Sequence, residues 1–130
     1  MFDPKIRVLL VDDMPIMRKA ILKNINELGF LNVTEASDGV DAWTKISSAT
    51  APFDLVIADC EMPHGSGLDL LTRIRGNSKF SKTLFLFLHI ESEAALAQRA
   101  IHEGANESLL KPFSAVQLQG KLAKILGSKR

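Results

Sequence analysis

Four charged residues stand where short apolar runs end. Asp12 and Asp13 follow Val8–Val11, Asp59 follows Leu55–Ala58, and Lys111 follows Leu109-Leu110. Carboxylates gathered at one place repel, and without help one of them has its pKa raised. A divalent cation relieves that repulsion. Oxygen ligands select hard ions such as Mg²⁺, which keeps several waters and takes one or two carboxylates together with phosphate oxygens. A lysine ammonium is a compact charge on a flexible stem that can pair with a carboxylate or a phosphoryl oxygen. Metal and lysine around one carboxylate make a site for phosphoryl transfer to that carboxylate. Such catalysis is mostly positioning and charge neutralisation, and an aspartyl phosphate is its covalent product. Taken singly, the pieces have plainer readings. Asp12-Asp13 reads better as a helix cap, Asp59 as a loop residue, and Lys111-Pro112 can be a simple turn. The chemistry rests on their joint placement, and so on the elements that carry them.

Those elements alternate between two kinds. Ile6–Val11, Asn32–Ala36, Asp54–Ala58, Leu84–His89 and Glu107–Leu110 are short and apolar or β-branched, as strands are. Between them lie longer segments with apolar residues three and four apart: Met14–Leu28, Gly39–Ser48, Gly67–Arg75, Ser92–Glu103 and Ala115–Leu126. Gly29 and Gly104 stand where helix C-terminal caps belong. Asp13 before Pro15, and Ser92 before Glu93, look like helix starts. Five strand–helix units in a row argue for an α/β fold, a parallel sheet covered on both faces. VLLV and LVIA are almost purely apolar, as strands buried on both sides should be. The expected architecture is a flavodoxin-like, doubly wound sheet of five parallel strands, order 2-1-3-4-5, with five helices. Ligands of such sheets bind beyond the carboxyl ends of the strands, where the strand order switches. That crevice lies beyond strands one and three, with Asp12, Asp13 and Asp59 on its rim and Lys111 at the end of strand five.

The 130 residues suit one domain, and 46% hydrophobic content supplies a core. Sixteen Lys plus Arg against 15 Asp plus Glu give a net charge of +1, with no general pull toward nucleic acid or anionic membrane. The one basic stretch, Lys121, Lys124, Lys129 and Arg130, reads as a solvated helix face with a basic tail. A single cysteine, Cys60, excludes an intrachain disulfide. No secretory leader or membrane-length apolar run appears, so a cytoplasmic location is expected.

With these residues in place the chain resembles the receiver domain of two-component response regulators, in layout the stand-alone chemotaxis type. The matching pieces are VLLVDD (Val8–Asp13), MPIMRK, EASDGVDA (Glu35–Ala42), DLVIADCEMPHGSGLDLL (Asp54–Leu71), EGA (Glu103–Ala105) and LLKPF (Leu109–Phe113). They span about Lys5 to Leu126, and no output domain is expected. The resemblance implies that Asp59 accepts the phosphoryl group. It implies that Asp12 and Asp13 hold Mg²⁺ with Asp59 and the main-chain carbonyl of Glu61. Lys111 would contact the phosphoryl group, with Pro112 after a cis peptide bond. The donor would be a phosphohistidine on a sensor histidine kinase or phosphotransfer domain. The chain would catalyse only its own phosphorylation and dephosphorylation, with no separate substrate.

Two switch positions depart from the family's pattern. His89 stands where Thr or Ser is usual, and Ser108 where Tyr or Phe is common. An imidazole can donate a hydrogen bond to a phosphoryl oxygen, which would make the response pH-sensitive. The plainer reading, in which His89 points away, is favoured. Ser108 is too small for an aromatic switch and is expected to be a passive edge-strand residue. Glu61 and Glu91 occupy positions that in the family influence loss of the phosphoryl group. Cys60 is expected to be a core-facing filler, His64 and His102 surface residues, and Trp43 a partly buried anchor.

The leading reading is a monomeric signalling module acting through protein contact, by way of its fourth helix, fifth strand and fifth helix. A flagellar switch component, a kinase and another regulator are all open as its partner. A degenerate receiver that binds partners without phosphate is the alternative, motivated by His89 and Ser108 and opposed by the intact acidic set. An enzyme on an external substrate fits less well. The adjacent aspartates are not an Asp-x-Asp pair, and DDMPIM is not a Ser/Thr/Gly-rich phosphate loop.

Overall fold

The computed structural model describes residues 2–127, so the basic tail residues Lys129 and Arg130 lie outside it. Five strands form one parallel sheet: β1 (Arg7–Val11), β2 (Asn32–Ala36), β3 (Leu55–Asp59), β4 (Leu84–His89) and β5 (Glu107–Leu110). Their order is β2-β1-β3-β4-β5, as the alternation of elements predicts. Helices α1 (Pro15–Glu27), α2 (Gly39–Ser48), α3 (Gly67–Arg75), α4 (Ala94–His102) and α5 (Ala115–Gly127) make the crossovers.

The period-two alternation of the strands divides the core. Leu9, Val11, Val56, Ala58, Phe85 and Phe87 face one way and pack with Ala42 and Ile46 of α2, Leu70, Leu71 and Ile74 of α3, and Ala97 and Ala100 of α4. Their neighbours Val8, Leu10, Leu55, Ile57, Leu86 and Leu88 face the other way, onto Ile21 and Ile25 of α1 and Leu118, Leu122 and Ile125 of α5. Central strands apolar on both faces are what a sheet with two helical layers requires. The register sets Val11 against Ala36 on one side and Ala58 on the other, so β1 and β3 end side by side at one rim. His89 pairs with Leu110, which brings the residue after β5, Lys111, to the same rim.

Helix ends follow the expected chemistry in part. Gly29 and Gly104 take positive φ, 108° and 113°. Beyond them Phe30 and Ala105 donate their amides back to the carbonyls of Ile25 and Ala100, closing both helices. Two starts differ from expectation. Asp13 does not cap α1: Met14 is the cap residue and supplies no side-chain bond. Pro15 follows it, and its missing N–H leaves one donor fewer to satisfy. The Ser92-Glu93 start is also displaced, since Glu91–Glu93 form a 3₁₀ turn and α4 begins only at Ala94. The Glu93 carboxylate accepts the Ile90 amide at 2.8 Å, which winds this segment tighter than an α-helix.

At the amino end of the sheet Arg75, the last residue of α3, ties together the connections that lead into β4 and β5. Its guanidinium donates to the carbonyls of Gly104 (3.0 Å), Ser81 (3.1 Å) and Thr83 (2.6 Å), and to Asn106 Oδ1 (3.2 Å). The Asn106 oxygen also accepts the Phe85 amide at 2.8 Å. All these acceptors are neutral, so the arginine substitutes for water on loop carbonyls rather than balancing charge. Arg75→Met keeps the aliphatic stem and removes every donor. We expect it to cost about 2–3 kcal/mol, from stranded part-buried acceptors, read as a lower urea midpoint with an unchanged slope.

Candidate functional site

Beyond the ends of β1 and β3, Asp12, Asp13 and Asp59 each offer a carboxylate oxygen within 4.8 Å of the others. Asp12 is fully buried and Asp59 is 7% exposed. The main chain fixes Asp12 from three sides. Its amide donates to Ala36 O at 3.1 Å, its carbonyl accepts Arg18 Nη1 at 2.7 Å, and its Oδ1 accepts the Met14 amide at 2.9 Å. Its Oδ2 is buried with no hydrogen-bond partner among the described residues. Burial pushes the Asp12 carboxyl above the ordinary range, and the charges of Asp59 and Asp13 push the same way, against the Met14 amide and Lys111. An orphaned buried carboxylate oxygen beside two further carboxylates is costly as it stands. It suits a hard divalent cation, so the residues present fit the Mg²⁺ that the sequence suggests.

Lys111 meets Asp59 from the opposite flank. Its Nζ lies 2.6 Å from Asp59 Oδ1, with the lysine side chain 13% exposed and the aspartate 9%. The Cys60 amide donates to the same oxygen at 3.0 Å. Oδ2 of Asp59 receives no hydrogen bond from the described residues. The backbone holds the lysine in register, since its amide donates to His89 O at 2.7 Å. The Lys111–Pro112 peptide bond is cis, as the resemblance implies.

The departures from the family's pattern cluster elsewhere. His89 is 8% exposed and its Nδ1 lies 3.2 Å from Ile90 O, a contact in which the ring nitrogen donates. Its ring makes no hydrogen bond to Asp59 or to the Lys111 side chain. With Ser108, Ala94, Ala97, Gln98 and Ile101 it lines a cavity of about 350 Å³ between α4 and β5. Ser108 is thus half-buried on the inner face of the edge strand. Glu61 and Glu91 are both exposed. Cys60 is buried, and burial first, then the negative charges of Glu93, Glu61 and Asp59, push its thiol up to about 12, which keeps it protonated. His64 and His102 are exposed, and Trp43 is partly buried edge-on against Phe80.

Sequence reasoning does not single out Arg18. Its Nε donates to Glu35 Oε1 at 3.0 Å while Nη1 holds the Asp12 carbonyl, so it ties α1 and β2 to the acidic turn. The signal for it is positional: Arg18 stands four residues after Met14, on the first turns of a helix leaving that turn, and Glu35 precedes the end of β2.

Residues 8–123 match the model of the response regulator receiver domain. The chain belongs to that family. The receiver is 35% identical over 122 residues to the chemotaxis protein CheY1 of Helicobacter pylori, covering 94% of this chain and 98% of that one. A probable chemotaxis protein CheY of Rhizobium etli is 36% identical over 124 residues, 95% of each chain. Among solved structures, chemotaxis response regulator CheY4 of Vibrio cholerae superposes with a TM-score of 0.81 at 30% identity, over 92% of this chain and 97% of that one. A receiver domain protein of Clostridium thermocellum gives 0.85 at 26% identity, over 95% of each. The receiver is therefore a CheY-like signalling module of the two-component type. Among its described residues no helix is long and apolar enough to cross a membrane.

The electrostatics of Asp12 make a signed prediction. A carboxyl raised in the folded state destabilises the fold when ionised, fully above its folded pKa and not at all below the ordinary 3.8. Without divalent cation at pH 7, Asp12→Asn should raise the thermal midpoint by about 3–5 °C, the effect of roughly 1 kcal/mol in a domain of this size. The gain should shrink on acidification as the wild-type carboxyl takes up its proton. Calorimetry in chelator, at a series of pH values from neutral down toward the ordinary carboxylate range, measures both.

Proposed function

We propose that the receiver accepts a phosphoryl group on Asp59 from a phosphohistidine donor, with Mg²⁺, and signals through protein contact. The observation that carries this reading is the Lys111–Asp59 pair at 2.6 Å beside three mutually close carboxylates. Asp59 Oδ2, free of hydrogen bonds among the described residues, forms the new bond to phosphorus. The phosphorus–nitrogen bond to the donor imidazole breaks, and that imidazole leaves with the electron pair and takes up a proton. Asp12, Asp13 and Asp59, with the main-chain oxygen of Glu61, would hold the cation. Bound Mg²⁺ neutralises charge on the phosphoryl oxygens. Lys111 already faces the acceptor and can transfer its hydrogen bond from the carboxylate to a phosphoryl oxygen without leaving the pocket.

The donor belongs to a sensor histidine kinase or phosphotransfer domain in the cytoplasm. Readout is assigned to α4, β5 and α5, because Lys111 and His89 stand at the active-site end of that face. A component of the flagellar switch is a candidate partner, in keeping with the chemotaxis relatives. The exposed carboxylates of Glu61 and Glu91 flank the acceptor loop and the β4–α4 turn, where they can influence attack of water on the acyl phosphate. The His89–Ser108 cavity favours a second reading, a receiver that binds partners without phosphate. A disused site would not be expected to keep the buried, repelling carboxylates and the paired lysine.

Intact mass after incubation with a small-molecule phosphodonor separates the two. A phosphoryl adduct that requires Mg²⁺ and is absent in Asp59→Asn is expected. No adduct on the wild type, together with no binding of a beryllofluoride mimic, would leave the phosphate-independent reading. Lys111→Met should keep Mg²⁺ binding while lowering the rate of adduct formation by about tenfold or more, the order expected when a preorganised charge is removed from a reacting group.

A further inference from the structure

Residues 60–66, between β3 and α3, carry Glu61 and form a loop tied at two places. At its base Gly67 donates its amide to Cys60 O at 2.8 Å. At its far side the carbonyls of His64 and Gly65 accept the amides of Val40 at 3.0 Å and Gly39 at 2.9 Å. Those amides open α2, where a helix has no carbonyls of its own to offer. The loop after the acceptor aspartate thus serves as a main-chain cap on a neighbouring helix.

This fit requires glycine at position 39. A Cβ there would lie 2.5 Å from Gly65 O, 2.8 Å from its carbonyl carbon and 3.1 Å from its Cα. All three are backbone atoms, so no flexible side chain can swing aside. The φ of Gly39 is not in the left-handed region, so alanine is strained by contact with the loop and not by its own backbone.

Of the two partners the loop is the one that yields. Helix α2 is anchored by buried Ala42 and Ile46, and Asp38 Oδ1 caps the Asp41 amide at 2.8 Å without the loop's help. Glu61, Pro63 and His64 are exposed, and His64 already sits at φ 57°, an uncommon conformation for a residue with a side chain.

We propose that Gly39 is a positioning residue for the divalent cation: by letting α2 clasp residues 64 and 65, it fixes the main-chain oxygen of Glu61 beside the aspartates. Glu61 lies between the base and the clasp, so a shift of the clasp moves its carbonyl. This inference rests on the Mg²⁺ reading given above, and it concerns a residue that carries no ligand atom.

Calorimetric titration with Mg²⁺ on the full chain tests it, with urea unfolding alongside. Gly39→Ala should weaken Mg²⁺ binding by about tenfold or more, the usual cost of losing support outside the ligand shell. The Mg²⁺ concentration for half-maximal phosphorylation should rise by the same factor, while the rate at saturating Mg²⁺ returns to the wild-type value. Ile46→Val, which loosens the packing of α2 and leaves the clasp alone, should lower the urea midpoint with Mg²⁺ affinity unchanged. Equal Mg²⁺ affinity in wild type and Gly39→Ala, or equal loss in Ile46→Val, overturns the inference. A wild type that takes no Mg²⁺ overturns it together with the functional reading. Should Gly39→Ala fail to fold, amide exchange on the wild type decides. Saturating Mg²⁺ should slow exchange at Gly39 and Val40, because coupling between sites is reciprocal; unchanged exchange at both overturns the clasp.

Discussion

Mutual repulsion among carboxylates at the ends of β1 and β3 is the constraint around which this receiver is arranged. A parallel sheet delivers the carboxyl ends of its strands to one rim, and the order β2-β1-β3-β4-β5 makes β1 and β3 neighbours there. Two buried aspartates and a half-buried one then face each other. The apolar strands beneath supply the hydrophobic stabilisation that lets the rim carry this strain. Lys111 offsets part of the charge from β5, and Arg18 holds the main chain of the acidic turn from α1. What these cations leave unmet, the lone Oδ2 of Asp12 above all, is the portion a divalent ion can answer.

The large features are legible in the sequence because they follow from periodicity and from strand ends. VLLV and LVIA announce strands buried on both faces, and the aspartates after them need only the switch in strand order to be brought together. Glycines 29 and 104 mark helix ends through their backbone freedom. The failures share a cause: a side chain that suits a local role serves a more distant one. Asp13 has the chemistry of a cap, but it belongs to a turn whose carboxylates serve the rim. Ser92-Glu93 has the chemistry of a helix start, but a carboxylate reaching back to Ile90 tightens the segment into a 3₁₀ turn. The clasp between Gly39 and Gly65 is made wholly of main-chain atoms, so its mark in the sequence is the glycine at position 39, which does not say what packs against it.

His89 and Ser108 separate the two halves of the receiver's task. The site that holds charge keeps its full set of residues. The region between α4 and β5 has a buried imidazole bound to a backbone carbonyl and a small hydroxyl, around a cavity where the family commonly places an aromatic ring. A hydroxyl-then-aromatic relay cannot run through these two side chains. The main-chain bond from Lys111 to His89 O links the end of β5 to the end of β4 between these two regions.

Cys60 has a consequence of another kind. It is the residue next to Asp59, yet its thiol is buried and held protonated with a pKa of about 12. Peroxides and disulfides react with thiolates, so this sulfur is chemically silent under conditions that oxidise exposed low-pKa cysteines. The carboxyl end of β3 is therefore insulated from the redox state of its surroundings. Because the chain has no other cysteine, a single thiol introduced at the surface could carry a spectroscopic label without competition from the native one.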